Sequence, residues 1–262
     1  IIAFCHVWIF FLAIKYIKSH KSSQIYYMGF LSAVGTGINL FFLGSLLPLV
    51  AFFLLEKFFY KKFNTKELKL KKFLGDFTKG FLVFYLTLVL FWIDTHPNIF
   101  VLPFKFFYEW AFSDLWRGYF YILVNGDYYL YKDIPKSYLL TNIIYKSPEY
   151  FLASYVLFFG ILINSKSFFT KRIKIFNYKL IWVVSMALYP FILLYLTSFS
   201  IYDGLRHVLW MLPYLCIIPS LTIYYLVKNL KNLKIKFISV FLLILFSYFL
   251  FNFLTITPYQ YT

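Results

Sequence analysis

The chain has 262 residues, 62% of them hydrophobic and 26% aromatic, and only 14% charged. A soluble domain of this length buries a large core without needing so many apolar runs of bilayer-crossing length, so composition excludes a soluble globular class. The net charge of +16 would suggest nucleic acid in a soluble chain, but here the basic residues fall between apolar runs, where membrane topology accounts for them and no nucleic-acid partner is expected.

Residues 1–17 form a first predicted span, running into Lys15, Lys18 and Lys21. The chain opens on Ile1 inside an apolar stretch, with no initiating Met or basic leader, and is expected to be an internal fragment. Residues 25–59 are too long for one crossing of roughly 20 residues. Gly35-Thr36-Gly37 is the natural break, which gives spans 25–37 and 39–59. A strongly basic stretch follows, with Lys57, Lys61, Lys62, Lys66, Lys69, Lys71, Lys72 and Lys79, before span 77–93.

The long connection 94–147 begins at Asp94-Thr95-His96-Pro97 and is rich in Tyr, Phe and Trp. Residues 103–113 are predicted to lie as a helix in the interface, with Trp110 and Trp116 at headgroup level. Asn125-Gly126-Asp127 is a turn signal between aromatic runs. The aromatic stretch 119–131 either stacks on sugar or packs on lipid, and packing is the default. Spans 148–164, 180–197, 208–227 and 237–256 complete the chain, separated by Lys166, Lys171, Arg172, Lys174 and Lys179, by a polar island, and by Lys228, Lys231, Lys234 and Lys236. Cys5 and Cys216 lie in apolar runs and read as small hydrophobes, with no disulfide framework.

The fold class predicted is therefore an all-α transmembrane bundle, one domain over 1–262, with eight spans and one long loop. Assigning alternate connections to opposite sides tests the division. Six cations (Lys105, Arg117, Lys132, Lys136, Lys146, Arg206) fall on one side, which leaves 20 of the 26 on the other with only Glu56, Glu67 and Asp76 of the 10 acids. Cations collect on the cytoplasmic side, so the long loop and the island are expected to face outward.

The island, Ser200-Ile201-Tyr202-Asp203-Gly204-Leu205-Arg206-His207, places an acid, an Arg and a His at that outward boundary. Ionisable groups there are costly to desolvate and mark a task. The bland alternative is a solvated turn on Asp203 and Gly204 with Arg206 snorkelling. Asp94, His96, Asp127, Asp133, Lys136 and Tyr138 are outward too, near where spans emerge, so a single cleft is expected. The chain has only three Arg among 26 cations, and two of them, Arg117 and Arg206, are on the cation-poor side. Arg is the better fork for phosphate or carboxylate.

Pro135-Lys136-Ser137-Tyr138-Leu139-Leu140, then Lys146-Ser147-Pro148 opening a span, is similar to the Pro-Trp-Tyr-Tyr-type loop end, Thr-Pro and helix of bacterial membrane glycosyltransferases. These are GT-C type relatives of the dolichyl-phosphate-mannose–protein mannosyltransferases and of the lipid A aminoarabinose transferase. Tyr202-Asp203-Gly204-Leu205-Arg206-His207, with Pro213 in the next span, resembles the Tyr-Asp-Gly-x-Arg-His element of the same group. Thr257-Pro258-Tyr259-Gln260-Tyr261 resembles the close of its membrane domain. The departure is Asn39, where the family often has an Arg after a Gly-rich turn.

The resemblance implies an enzyme of the bacterial inner membrane, its active face extracytoplasmic, that passes a sugar from a polyprenyl-phosphate carrier to an acceptor (lipid, glycan or protein). Its catalytic base would lie in a first outward loop, which is expected upstream of Ile1. Arg206 and Lys136 are then expected to stabilise the leaving phosphate, with Tyr138 and His207 as further donors. Asp203 would orient Arg206, and Asp94 and His96 would line the cleft, although Asp94 equally suits a segment end before Pro97. The four His (His6, His20, His96, His207) lack ligand spacing, and a divalent metal is left open. Two other classes stand beside the enzyme: a transporter or lipid flippase, which places ionisable groups in mid-span, and a non-catalytic membrane subunit.

Overall fold

The computed structural model describes residues 1–63, 70–112, 121–130, 133–196 and 205–229, with scattered positions between 240 and 255. Apolar runs become helices because a bilayer offers backbone N–H and C=O groups no other partners. The helices are α1 (Ile2–Ser19), α2 (Ser22–Ile38), α3 (Phe41–Ser45), α4 (Leu47–Leu55) continued by a π-helical turn (Glu56–Tyr60), α5 (Leu70–Phe91), α6 (Leu102–Phe112), α7 (Tyr138–Lys146), α8 (Glu149–Arg172), α9 (Phe176–Leu196) and α10 (Leu212–Asn229). Short 3-10 turns, Ile93–Asn98 and Arg206–Met211, precede α6 and α10.

Six helical stretches among the described residues are long and apolar enough to cross a membrane: α1, α3 through Tyr60, α5, α8, α9 and Arg206–Asn229. These answer six of the eight expected spans. The second expected span is α2, whose 17 residues give about 26 Å of helix against a hydrocarbon core of about 30 Å. Of the last, 237–256, half the positions lie outside the described residues.

The break between the second and third expected spans is not at the glycines. Helix α2 runs through Gly35, Thr36 and Gly37 to Ile38, and the chain turns at Asn39, whose backbone is extended (φ −154°). The Asn39 Oδ1 accepts the Phe41 N–H at 2.9 Å, so a side chain that mimics a turn carbonyl starts the next helix. Gly35 serves packing instead, whereas a Cβ on Gly37 would meet open space. A Cβ on Gly35 would come within 2.4 Å of the Phe42 ring, and one on Gly29 within 2.3 Å of the Gly80 carbonyl oxygen. Gly29 and Gly80 thus let α2 and α5 cross backbone to backbone, the usual use of small residues between membrane helices.

Polar contacts between distant elements set the helices antiparallel. At the lysine-rich end, the Tyr16 hydroxyl donates to Asp76 at 2.8 Å, joining the end of α1 to the start of α5. Tyr178 at the start of α9 donates to Glu56, and Lys18 Nζ lies 5.3 Å from the Phe63 ring centroid. At the opposite end, the Tyr189 hydroxyl of α9 reaches the Gly44 carbonyl in α3 at 3.0 Å. Helix α8 leans on α10 through Tyr155, whose hydroxyl donates to the Leu215 carbonyl at 2.6 Å. It kinks at Ser165, where the expected span ended, and the Tyr225 hydroxyl meets Ser165 Oγ at 3.0 Å.

The long loop is not irregular, and the bundle is not purely helical. Residues 94–147 contain the first 3-10 turn, α6, α7 and a hairpin of β1 (Tyr121–Val124) and β2 (Asp127–Leu130) paired antiparallel. Asn125 (φ 55°) and Gly126 (φ 97°) form its two-residue turn, the Asn-Gly pair that tolerates positive φ at both positions. The expected interfacial helix is α6; Trp116 and Arg117 lie outside the described residues.

Candidate functional site

The last carbonyls of a helix have no intrahelical donor, and a cation near them also meets the negative end of the helix dipole. Lys136 fills that role for α9. Its Nζ donates to the Tyr195 carbonyl at 2.7 Å and sits 5.1 Å from the Tyr195 ring centroid. The end of the long loop is thereby fastened to the point where α9 gives way to the polar island. Two residues on, Tyr138 opens α7 with its N–H donated to the Pro135 carbonyl at 2.9 Å. Its side chain is buried, like those of Leu139 and Ile143, in the main apolar cluster.

The same cluster takes in Val208, Trp210 and Met211, all essentially inaccessible. These three hold the Arg206–Met211 turn down while Arg206 stays exposed at its outer edge. His207 is half-buried and presents its ring edge-on to Phe41 of α3, with centroids 6.4 Å apart. The Arg206–Met211 turn packs on α9, with Trp210 and Tyr189 ring centroids 6.2 Å apart, while Lys136 is tied to Tyr195 further along the same helix. Asp203 lies outside the described residues.

Asp94 and His96 sit on a different element. Both are exposed on the Ile93–Asn98 turn, which packs chiefly on α5 and α6. His96 Nε2–H donates to the Val89 carbonyl at 2.9 Å, and Thr95 Oγ1 donates to the Trp92 carbonyl at 2.7 Å. The side chains after Trp92 thus complete the C-terminus of α5.

A buried polar group lies against the Arg206–Met211 turn, and the sequence pattern passed over it. His6 of α1 is fully buried and stacks on Trp210 with centroids 4.7 Å apart and planes at 24°. Its Nε2 meets the Ser45 carbonyl at 3.0 Å. A carbonyl only accepts, so that nitrogen carries the hydrogen. Its Nδ1 shares a 2.8 Å hydrogen bond with the Tyr214 hydroxyl of α10. One imidazole thus joins α1, α3 and α10 beneath the turn that carries Arg206. A histidine inside a first apolar span is itself a signal. Its partners, up to 208 residues away, are not readable from spacing. Tyr214→Phe leaves the Nδ1 without its partner and is expected to lower stability by about 1–3 kcal/mol, measured as the unfolding midpoint of the detergent-solubilised protein.

Among the described residues no group of three His, Cys, Asp or Glu side chains converges as a metal site. Compared with family models, curated proteins and solved structures, the chain matches none of them.

Proposed function

We propose that the chain forms part of an integral membrane glycosyltransferase of the bacterial inner membrane. It moves a sugar from a polyprenyl-phosphate carrier to an extracytoplasmic lipid, glycan or protein. The observation that carries this reading is that Lys136 is tied to the Tyr195 carbonyl in the last turn of α9, while the turn bearing the exposed Arg206 and half-buried His207 packs on the same helix. The resemblance of residues 202–207 to the Tyr-Asp-Gly-x-Arg-His element supports it independently. In the transfer, the bond between the anomeric carbon and the phosphate oxygen breaks while the acceptor oxygen bonds to that carbon. Charge then grows on the departing phosphate, where a guanidinium and an ammonium held at the membrane surface stabilise it. Asp203 is assigned to orienting Arg206, and the acceptor proton goes to a base outside this set.

A second reading, a transporter or flippase, draws on His6, Glu56 and Asp76, ionisable groups buried within candidate spans. Glu56 and Asp76 lie at the lysine-rich end rather than at mid-depth, where a transported solute would be held. The full-length protein in proteoliposomes, given a radiolabelled polyprenyl-phosphate sugar and a membrane extract as acceptor, separates the two. Label appearing in a new product, with carrier phosphate released, supports transfer. Label that changes leaflet without changing chemical form removes it.

A further inference from the structure

We infer that one face of the β1–β2 hairpin and the outer side of α7 rest in the headgroup–acyl boundary of the bilayer, forming a lipid-binding platform beside the Arg206–Met211 turn. Cross-strand pairing places Tyr121 opposite Leu130 and Leu123 opposite Tyr128. Alternation in a strand puts these four on one face. Tyr121, Leu123 and Tyr128 are 71%, 56% and 73% exposed. The other face is already used, since Val124 is buried in the main apolar cluster and Ile122 and Tyr129 pack against it. A two-stranded hairpin that offers tyrosines and a leucine outward, while its reverse is fastened to a membrane bundle, leaves an apolar face exposed among the described residues.

The height of this face follows from the chain. Helix α7 belongs to the same cluster through Tyr138, Leu139 and Ile143, and only Ser147 and Pro148 separate it from the membrane-length helix α8. Its remaining side is apolar as well, with Leu140, Ile144 and Tyr145 exposed. Both elements therefore sit where a span leaves the hydrocarbon, the depth at which tyrosine rings are favoured, and their exposed sides continue the lipid-facing belt of α8. The hairpin tip, Asn125-Gly126-Asp127, is polar, so the hairpin lies flat on the surface rather than plunging tip first. This platform does not depend on the proposed chemistry.

Collision-accessibility spin labelling tests it on the full chain in vesicles of zwitterionic and anionic phospholipid. Single labels go on Leu123→Cys and Tyr128→Cys in a Cys216→Ala background, with Tyr121→Cys if either fails to fold and Asp127→Cys as the water-side reference. Oxygen should outcompete a water-soluble nickel chelate at 121, 123 and 128, and the order should reverse at 127. Chelate access at 123 and 128 equal to that at 127 would place the face in water and overturn the proposal. Protection from both colliders, with dipolar coupling between labels on different molecules, would assign the face to a second copy instead. Absence of sugar transfer by the unlabelled parent, with the oxygen-dominated pattern intact, would remove the enzyme reading and leave the platform standing.

Discussion

Arg206→Ala is expected to lower sugar transfer by about 10²–10³-fold, the cost of deleting one fixed donor aimed at developing oxyanion charge. The substitution suits the question because Arg206 is exposed and the turn it begins is held by Val208, Trp210 and Met211, all inaccessible. The fold should therefore survive, read as a cooperative unfolding transition in the same detergent. Arg206→Lys keeps the charge and loses the planar fork, so it should recover only part of the rate. The measurement is initial turnover of a labelled polyprenyl-phosphate sugar by the full-length protein, with carrier affinity determined separately. Unchanged turnover in the Ala variant would end the assignment of this end of the bundle to phosphate. A change confined to carrier affinity would make Arg206 a docking group with no special hold on the transition state.

Membrane crossings were legible because an apolar run long enough to span has few other fates. Their ends were less so, since lysine stems extend a helix past the hydrocarbon. Helix α5 begins at Leu70, ahead of the predicted 77, and carries Lys71 and Lys72 on its first turn. Helix α8 continues to Arg172 beyond its kink. Gly35 and Gly37 were read as a turn because glycine permits one. The same missing Cβ also permits close packing, and only the partner, Phe42, distinguishes the uses. The Asn-Gly hairpin turn was readable because its positive-φ requirement is local. Of the residues around the expected site, Lys136 meets the last turn of α9, while Thr95 and His96 close the C-terminus of α5. Sidedness puts residues on a face of the membrane but not beside one another, and helix-to-helix neighbours are set by packing that no single-chain periodicity encodes. The His6–Tyr214 bond is of that kind.

Glu56→Ala should produce the largest loss of stability, about 2–6 kcal/mol, from two donors left unpaired at about 1–3 kcal/mol each. Glu56 is fully buried. One carboxylate oxygen accepts the Tyr178 hydroxyl of α9 and the other the backbone N–H of Phe63, while its own carbonyl takes the Lys61 N–H at 2.9 Å. Lys61 stands at positive φ (49°), so the chain reverses there, and the carboxylate holds the returning strand. Phe63 then lies among Phe52 and Tyr178, with centroids 6.2 and 5.7 Å away. Glu56→Gln keeps an acceptor for one of the two donors and should lose less, whereas a proton-carrying role in transport would make Gln as damaging to flux as Ala. Tyr178→Phe removes one donor and leaves its oxygen acceptor unfilled. If the pair is a structural tie, the double variant costs less than the two single costs added, because neither group is then stranded by the other's removal. Unfolding midpoints of the four proteins in the same detergent decide it. Additive costs would mean that the hydroxyl and carboxylate do not act together, and an unchanged midpoint for Glu56→Ala would show that the lysine-rich end of α9 is held by aromatic packing alone.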